Sequence, residues 1–183
     1  MRIIAGKYAK RNLHTLKSNA TRPTSDKVKG SLFNSLGQFF DGGQVLDLYA
    51  GSGALGIEAV SRGYDGAVLV DISGQACQVI KKNVELTKEE ERFRVLKCSD
   101  NRAIKILQDE GKKFDLVFLD PPYATTYGEQ AMQSILKHKI IKNDGILIFE
   151  HSKGKTFDYS GYDLVDKKSY GIKEVSYFKV HND

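Results

Sequence analysis

The chain has 183 residues, 40% hydrophobic and 28% charged, with a net charge of +5. That length and composition suit one folded unit with a real core, and no apolar run approaches the roughly 18 residues of a membrane span. The opening Met1-Arg2-Ile3-Ile4-Ala5-Gly6-Lys7 lacks the apolar stretch of a signal peptide, Cys77 and Cys98 form no C-x-x-C pair, and His14, His138, His151 and His181 show no metal-ligand spacing, so the expectation is a cytoplasmic protein with no metal and no membrane contact.

Residues 2–16 alternate loosely around Gly6, which predicts a small hairpin or extended arm over residues 1–20, ahead of a single globular unit over 21–183. Residues 1–30 hold eight Lys and Arg against the single acid Asp26, a concentration of positive charge suited to phosphates. Thr24 or Ser25 can cap a helix in which Val28, Leu32, Leu36 and Phe40 recur every fourth residue, up to Gly42-Gly43. Strand and helix then alternate. Strands are expected at Val45–Tyr49, Gly66–Ile72, Phe93–Lys97, Phe114–Leu119 and Gly145–Glu150, with helices to about Arg62, from Ser73 to about Leu86, from Asn101 to Gln108 and from Thr126 to Lys139. Tyr162–Lys168 and Glu174–Val180 read as an antiparallel pair around Gly171. This alternation predicts a doubly wound, mostly parallel α/β sheet whose chemistry lies just beyond Tyr49, Val70, Lys97 and Leu119.

Gly51-Ser52-Gly53-Ala54-Leu55-Gly56 matches G-x-G-x-x-G between a strand and a helix, and Asp71 follows where a ribose-binding acid belongs. Those features alone suit a dinucleotide equally well. Asp47 separates the two readings. It sits in the strand that feeds the loop, where its charge repels a pyrophosphate and attracts the ammonium group of S-adenosylmethionine. Asp100, with Ser99 and Asn101 beside it, is placed to accept from an adenine amino group or to cap a helix.

Asp120-Pro121-Pro122-Tyr123 follows the most apolar strand. A planar exocyclic amine is a poor nucleophile because its lone pair is delocalised into the ring. A carboxylate and carbonyls around its hydrogens favour the tetrahedral, nucleophilic form. The prolines stiffen such an acceptor array, and Tyr123 offers a stacking face. Positioning and preorganised dipoles then supply most of the acceleration.

These segments resemble motif I (Asp47 to Gly53) and motif IV (Asp120 to Tyr123) of amino-methyltransferases. Arg2–Lys7, Arg22–Val28 and Ala50–Ala59 together resemble the RsmD family of bacterial 16S ribosomal RNA guanine-N2 methyltransferases, and the likeness spans nearly the whole chain. The resemblance implies a Rossmann-like class I methyltransferase. It implies S-adenosylmethionine at Asp47, Ala50, Gly51, Ser52, Gly53, Asp71, Ile72, Ser99, Asp100 and Asn101, leaving S-adenosylhomocysteine as product. It also implies catalysis at Asp120, Pro121, Pro122 and Tyr123 on 16S ribosomal RNA within the small subunit or an assembly intermediate. Lys7, Lys10, Arg11, Arg22 and Lys27 are the expected RNA contacts. Related Asx-Pro-Pro-aromatic motifs also serve amines of DNA adenine and protein glutamine, and an inactive RNA-binding assembly factor is a third reading. The intact acids argue against decay, and 183 residues show no evident DNA target-recognition domain.

Overall fold

Strand β4 (Phe114–Leu119) reads Phe-Asp-Leu-Val-Phe-Leu, and every apolar side chain in it is buried. A strand apolar on both faces has to lie in the middle of a covered sheet, and that is where β4 sits. The computed structural model describes residues 1–17, 26–122 and 125–181. Its seven strands form one sheet with β1 (Gln44–Asp47), β2 (Gly66–Asp71), β3 (Phe93–Lys97), β5 (Ile141–Ser152), β6 (Tyr162–Tyr170) and β7 (Lys173–Val180), in the order β3-β2-β1-β4-β5-β7-β6. The first five strands run parallel, whereas β7 runs antiparallel to both β5 and β6. The chain reverses its winding between β1 and β4. Asp47 ends β1 and Asp120 follows β4, so both stand at this switch point, where doubly wound sheets open a ligand crevice.

Helices α1 (Asp26–Leu36), α2 (Ala54–Ser61) and α3 (Gly74–Glu85) cover one face of the sheet, through Leu32, Phe33, Ile57, Val60, Ile80 and Val84. Helices α4 (Asp100–Asp109) and α5 (Tyr127–Lys137) cover the other, through Ile104, Leu107, Met132 and Ile135. Serines open α3 and α4: Ser73 Oγ accepts from Ala76 N at 3.2 Å and Ser99 Oγ from Arg102 N at 3.2 Å.

β1 ends at Asp47, two residues before the expected Tyr49, β6 runs two residues past the expected Lys168, and two elements differ more. The first helix ends at Leu36, not at Gly42, because the chain turns at Gly37 with φ +100°. Phe40, fourth in the periodic row, instead packs from the following loop against Tyr64 and Phe33. Its expected caps, Thr24 and Ser25, lie outside the described residues. Strand β5 starts four residues early, at Ile141, because Ile141 pairs with Phe114 across a register shift before Ile146 meets Leu116. The polar Lys142-Asn143-Asp144 had masked that continuity.

The N-terminal arm closes on itself through an antiparallel bridge between Arg2 and Asn12, and it buries Ile3, Tyr8 and Leu13 in the core beneath α2. A buried charge cluster fixes it there. Glu58 of α2 accepts from Ile4 N at 2.9 Å, Ala5 N at 3.1 Å and Arg62 Nε at 2.8 Å. Lys29 of α1 lies 3.2 Å from Glu58 and donates to Arg2 O at 2.7 Å. Ser61 Oγ donates to Ala5 O at 2.7 Å and accepts from Tyr8 N at 3.0 Å. Glu58 is thus the structural hub of the arm, α1 and α2. Removing it strands two buried cations and two amides. Glu58→Ala should lower unfolding free energy by about 3–5 kcal/mol in urea titrations; a loss below ~1 kcal/mol would contradict this role.

Candidate active site

After Asp47 the chain turns through Tyr49–Gly53 and enters α2 with Gly53 at φ +82°, a left-handed conformation that side chains disfavour. No side chain caps α2, so its first N–H groups face the crevice. Gly56 lets α2 lie directly on β2: a Cβ there would meet Leu69 Cδ2 at 2.3 Å. Asp71 ties the loop to the next element, accepting from Gly51 N at 2.9 Å and from Ser73 N at 2.9 Å. From beneath, the buried Asn83 donates to Ser52 O at 2.8 Å and to His14 O at 3.0 Å, and it accepts from His14 N at 2.7 Å. The glycine loop is therefore rigid before any ligand arrives, and Asn83, which nothing in the sequence singled out, joins it to the arm.

Asp47 is buried, with 1% of its surface exposed. It accepts from the backbone N–H of Tyr49, but among the described residues no donor reaches its Oδ1. Burial pushes its carboxyl up to about 7, the Tyr49 amide opposes this, and the charge of Asp71 adds to it. Asp100, at the start of α4, is already engaged. Its Oδ2 accepts from the Tyr49 hydroxyl at 2.5 Å, and its Oδ1 accepts from Asn101 N at 2.7 Å. Ser99, not Asp100, caps α4. Ile72, after the ribose-type acid, is 72% exposed, a large apolar side chain with no protein cover. Ala50 closes the turn by donating to Val70 O at 2.8 Å. These residues form one continuous rim over the tips of β1, β2 and β3.

Asp120 stands on the other side of the switch point. Its carboxyl is held well above the usual range, first by burial, then by the charge of Glu150, against which Lys173 acts in opposition; Asp47 also contributes upward. The following Pro121-Pro122 turn is anchored at its far end. Thr125 Oγ1 donates to Pro122 O at 2.8 Å, and Lys155 bridges Thr125 O at 2.9 Å and Glu129 at 2.5 Å. Lys155, Glu150 and Lys173 lie far along the chain from the tetrad. Glu150 is brought beside it by the pairing of β4 with β5, Lys173 by the pairing of β5 with β7, and Lys155 from the loop that follows β5. Tyr123 lies outside the described residues.

Three of the expected RNA contacts lie away from this rim. Lys7, Lys10 and Arg11 stand by the last turn of α2 and the entry to β3. There Lys7 N bonds Ser61 O at 2.9 Å, and Tyr8 packs on Phe93. That position is about 12 Å of helix away from the glycine loop. Lys7 pairs with Glu89 at 3.0 Å, and Arg11 lies over the Tyr8 ring. Lys27 is exposed in the first turn of α1. Arg22 lies outside the described residues. Among the described residues no group of His, Cys, Asp and Glu is arranged to hold a metal ion, and no helix is long and apolar enough to cross a membrane.

Comparison with known proteins gives a consistent result. A family model described as conserved hypothetical protein 95 matches residues 1–179. Ribosomal RNA small subunit methyltransferase D of Haemophilus influenzae is 35% identical, over all of this chain and 94% of its own length. Among solved structures, the Escherichia coli protein yhhF, a methyltransferase by name, superposes with a TM-score of 0.84 at 28% identity, over all of this chain and 99% of its own. A conserved hypothetical protein of Streptococcus pyogenes superposes with a TM-score of 0.77 at 39% identity, over 84% of this chain and 96% of its own. The strand order and these likenesses together define a Rossmann-like class I methyltransferase fold.

Proposed function

This chain is a member of the RsmD family, and from that premise we propose that it methylates the exocyclic N2 amine of a guanine in 16S ribosomal RNA, with S-adenosylmethionine as the methyl donor. The observation that carries the donor assignment is the unpartnered Oδ1 of Asp47. A buried carboxylate without a donor is costly, and its position beside the glycine loop calls for a cation with N–H groups. The ammonium of an amino-acid ligand meets both demands. A pyrophosphate meets neither.

The other residues fit the same ligand. The uncapped N–H groups at the start of α2 suit the ligand's carboxylate. Asp71 retains acceptor capacity for ribose hydroxyls after its two backbone bonds. Ile72 offers an apolar face to the adenine, and Asp100, oriented by Tyr49, accepts from the adenine amine. S-adenosylmethionine supplies an electrophilic methyl group on a sulfonium; no metal is required for such a transfer. Asp120 and the proline-stiffened carbonyls hold the target amine, and Tyr123 stacks on its base.

The relative's name, a small-subunit ribosomal RNA methyltransferase, supports the RNA assignment. The separation of Lys7, Lys10 and Arg11 from the crevice adds a physical reason. A substrate that touches both is an extended macromolecule, such as RNA in the small subunit or an assembly intermediate. Phosphates then meet Lys10, Arg11, Arg22 and Lys27, and Lys7 exchanges Glu89 for a phosphate. A cytoplasmic location follows from this substrate.

Two measurements test the reading. With small subunits lacking the modification, Asp120→Ala should lower kcat on the order of 10²–10³-fold while calorimetric affinity for S-adenosylhomocysteine stays nearly unchanged. Activity retained in this variant would remove Asp120 from the chemistry. Replacing Lys10 and Arg11 with Ala should flatten the dependence of log K on log salt by about one unit per lost phosphate contact. An unchanged slope would take the arm out of the RNA footprint.

A further inference from the structure

Side chains on β-strands alternate between faces, and four strands place a charged residue on the same face at the same end of the sheet. Asp47 ends β1, Asp120 follows β4, Glu150 lies near the end of β5, and Lys173 begins β7. The first three occur there because parallel strands end together. Lys173 joins them because β7 is antiparallel, so its first residue pairs with Ser152 at the tip of β5. The result is a row of three carboxyls closed by a lysine. Glu150 is 6% exposed and sits beside Asp120, since the parallel register of β4 and β5 pairs Leu119 with Phe149, and its Oε1 lies 2.7 Å from Lys173 Nζ.

A buried carboxyl beside a half-buried one is costly as a pair of anions, and a single proton shared by them removes the repulsion. Methyl transfer to an amine releases one proton. Resting on the methyltransferase reading, we propose that Glu150 and Lys173 are positioning residues that make Asp120 the acceptor of that proton. The nitrogen lone pair forms the new N–C bond as the methyl C–S bond breaks with its electron pair left on sulfur. One N–H bond of the amine then breaks, and its proton passes to the Asp120 carboxylate. Neutral Asp120 donates to ionised Glu150, so the transfer exchanges a repulsion for a hydrogen bond. Lys173 opposes protonation of the pair before the transfer.

Each element flanking Asp120 contributes to this balance. Asp47 on β1 and Glu150 on β5 raise its affinity for a proton, and Lys173 on β7 lowers it. On α5, Glu129 is neutralised by Lys155. On the opposite face of β5 and β7, His151 bonds Ser176 Oγ at 2.7 Å, and Glu174 accepts from Gly154 N at 3.0 Å.

The test is the pH profile of kcat for RNA methylation in the wild type, Glu150→Gln, Lys173→Met and Lys173→Arg. Circular dichroism and S-adenosylhomocysteine calorimetry confirm folding and an intact donor site. Glu150→Gln removes the neighbouring anion and leaves Lys173 to act on Asp120, so the acidic limb should move to lower pH with kcat reduced roughly tenfold. Lys173→Met removes the cation, so the limb should move to higher pH. Lys173→Arg should restore the wild-type profile. A purely structural role moves neither limb in a charge-dependent sense, and limbs that stay in place or move together overturn the proposal. If Glu150→Gln fails to fold, the opposed Met and Arg variants at the partly exposed Lys173 decide the matter alone. Wild-type protein that methylates no RNA defeats the methyltransferase reading itself, and the proton-acceptor proposal falls with it.

Discussion

The site is organised around a carboxylate that the folded protein leaves half satisfied. Asp47 is drawn into the interior by the strand that carries it, between Leu46 and Leu48, and among the described residues no donor reaches its Oδ1. Few arrangements in a core cost more than a buried acceptor without a partner. The cost is sustained because the surroundings are stiff. Gly51 and Ser73 are bonded to Asp71, Ser52 is bonded to Asn83, and α2 is pressed onto β2 at Gly56. None of these groups is free to turn and satisfy Asp47, so its demand is directed outward, into the crevice.

The N-terminal arm belongs to this argument as much as the sheet does. The Glu58 cluster binds arm, α1 and α2 into one body, and Asn83 extends that body to the glycine loop through His14. A loop that must present backbone N–H groups and a pinned acid to one ligand gains from such bracing, since preorganised dipoles need no rearrangement when charge develops. The same buried charges explain why Lys29 and Arg62, which the sequence offers as ordinary cations, are not available to RNA.

Much of this was legible in the sequence, for a local reason. Asp47 and Asp71 end strands, Gly51, Gly53 and Asp120 follow one within a few residues, and the strand–loop–helix rhythm tells where strand ends gather. The four strands Gly66–Asp71, Phe93–Lys97, Phe114–Leu119 and Lys173–Val180 emerge within one residue of the expected bounds because their apolar runs are bracketed by turns. What the sequence concealed is long-range. Glu150 reaches Asp120 through the parallel pairing of β4 with β5, Lys173 arrives through the pairing of β5 with an antiparallel β7, and no spacing in the chain encodes that meeting. Lys155 reaches Thr125 from the loop after β5, thirty residues along the chain. The end of α1 was misplaced because Phe40 continues the helical period as a loop residue, held by ring contacts rather than by helix geometry.

Whether Asp47 receives an ammonium is decided by a calorimetric cycle with two ligands and two proteins. S-adenosylhomocysteine carries the ammonium; 5′-methylthioadenosine keeps the nucleoside and the thioether but lacks it. Asp47→Asn should weaken the first by roughly ten- to a hundredfold and leave the second within about twofold. Equal losses for both ligands, or none for either, would contradict the account.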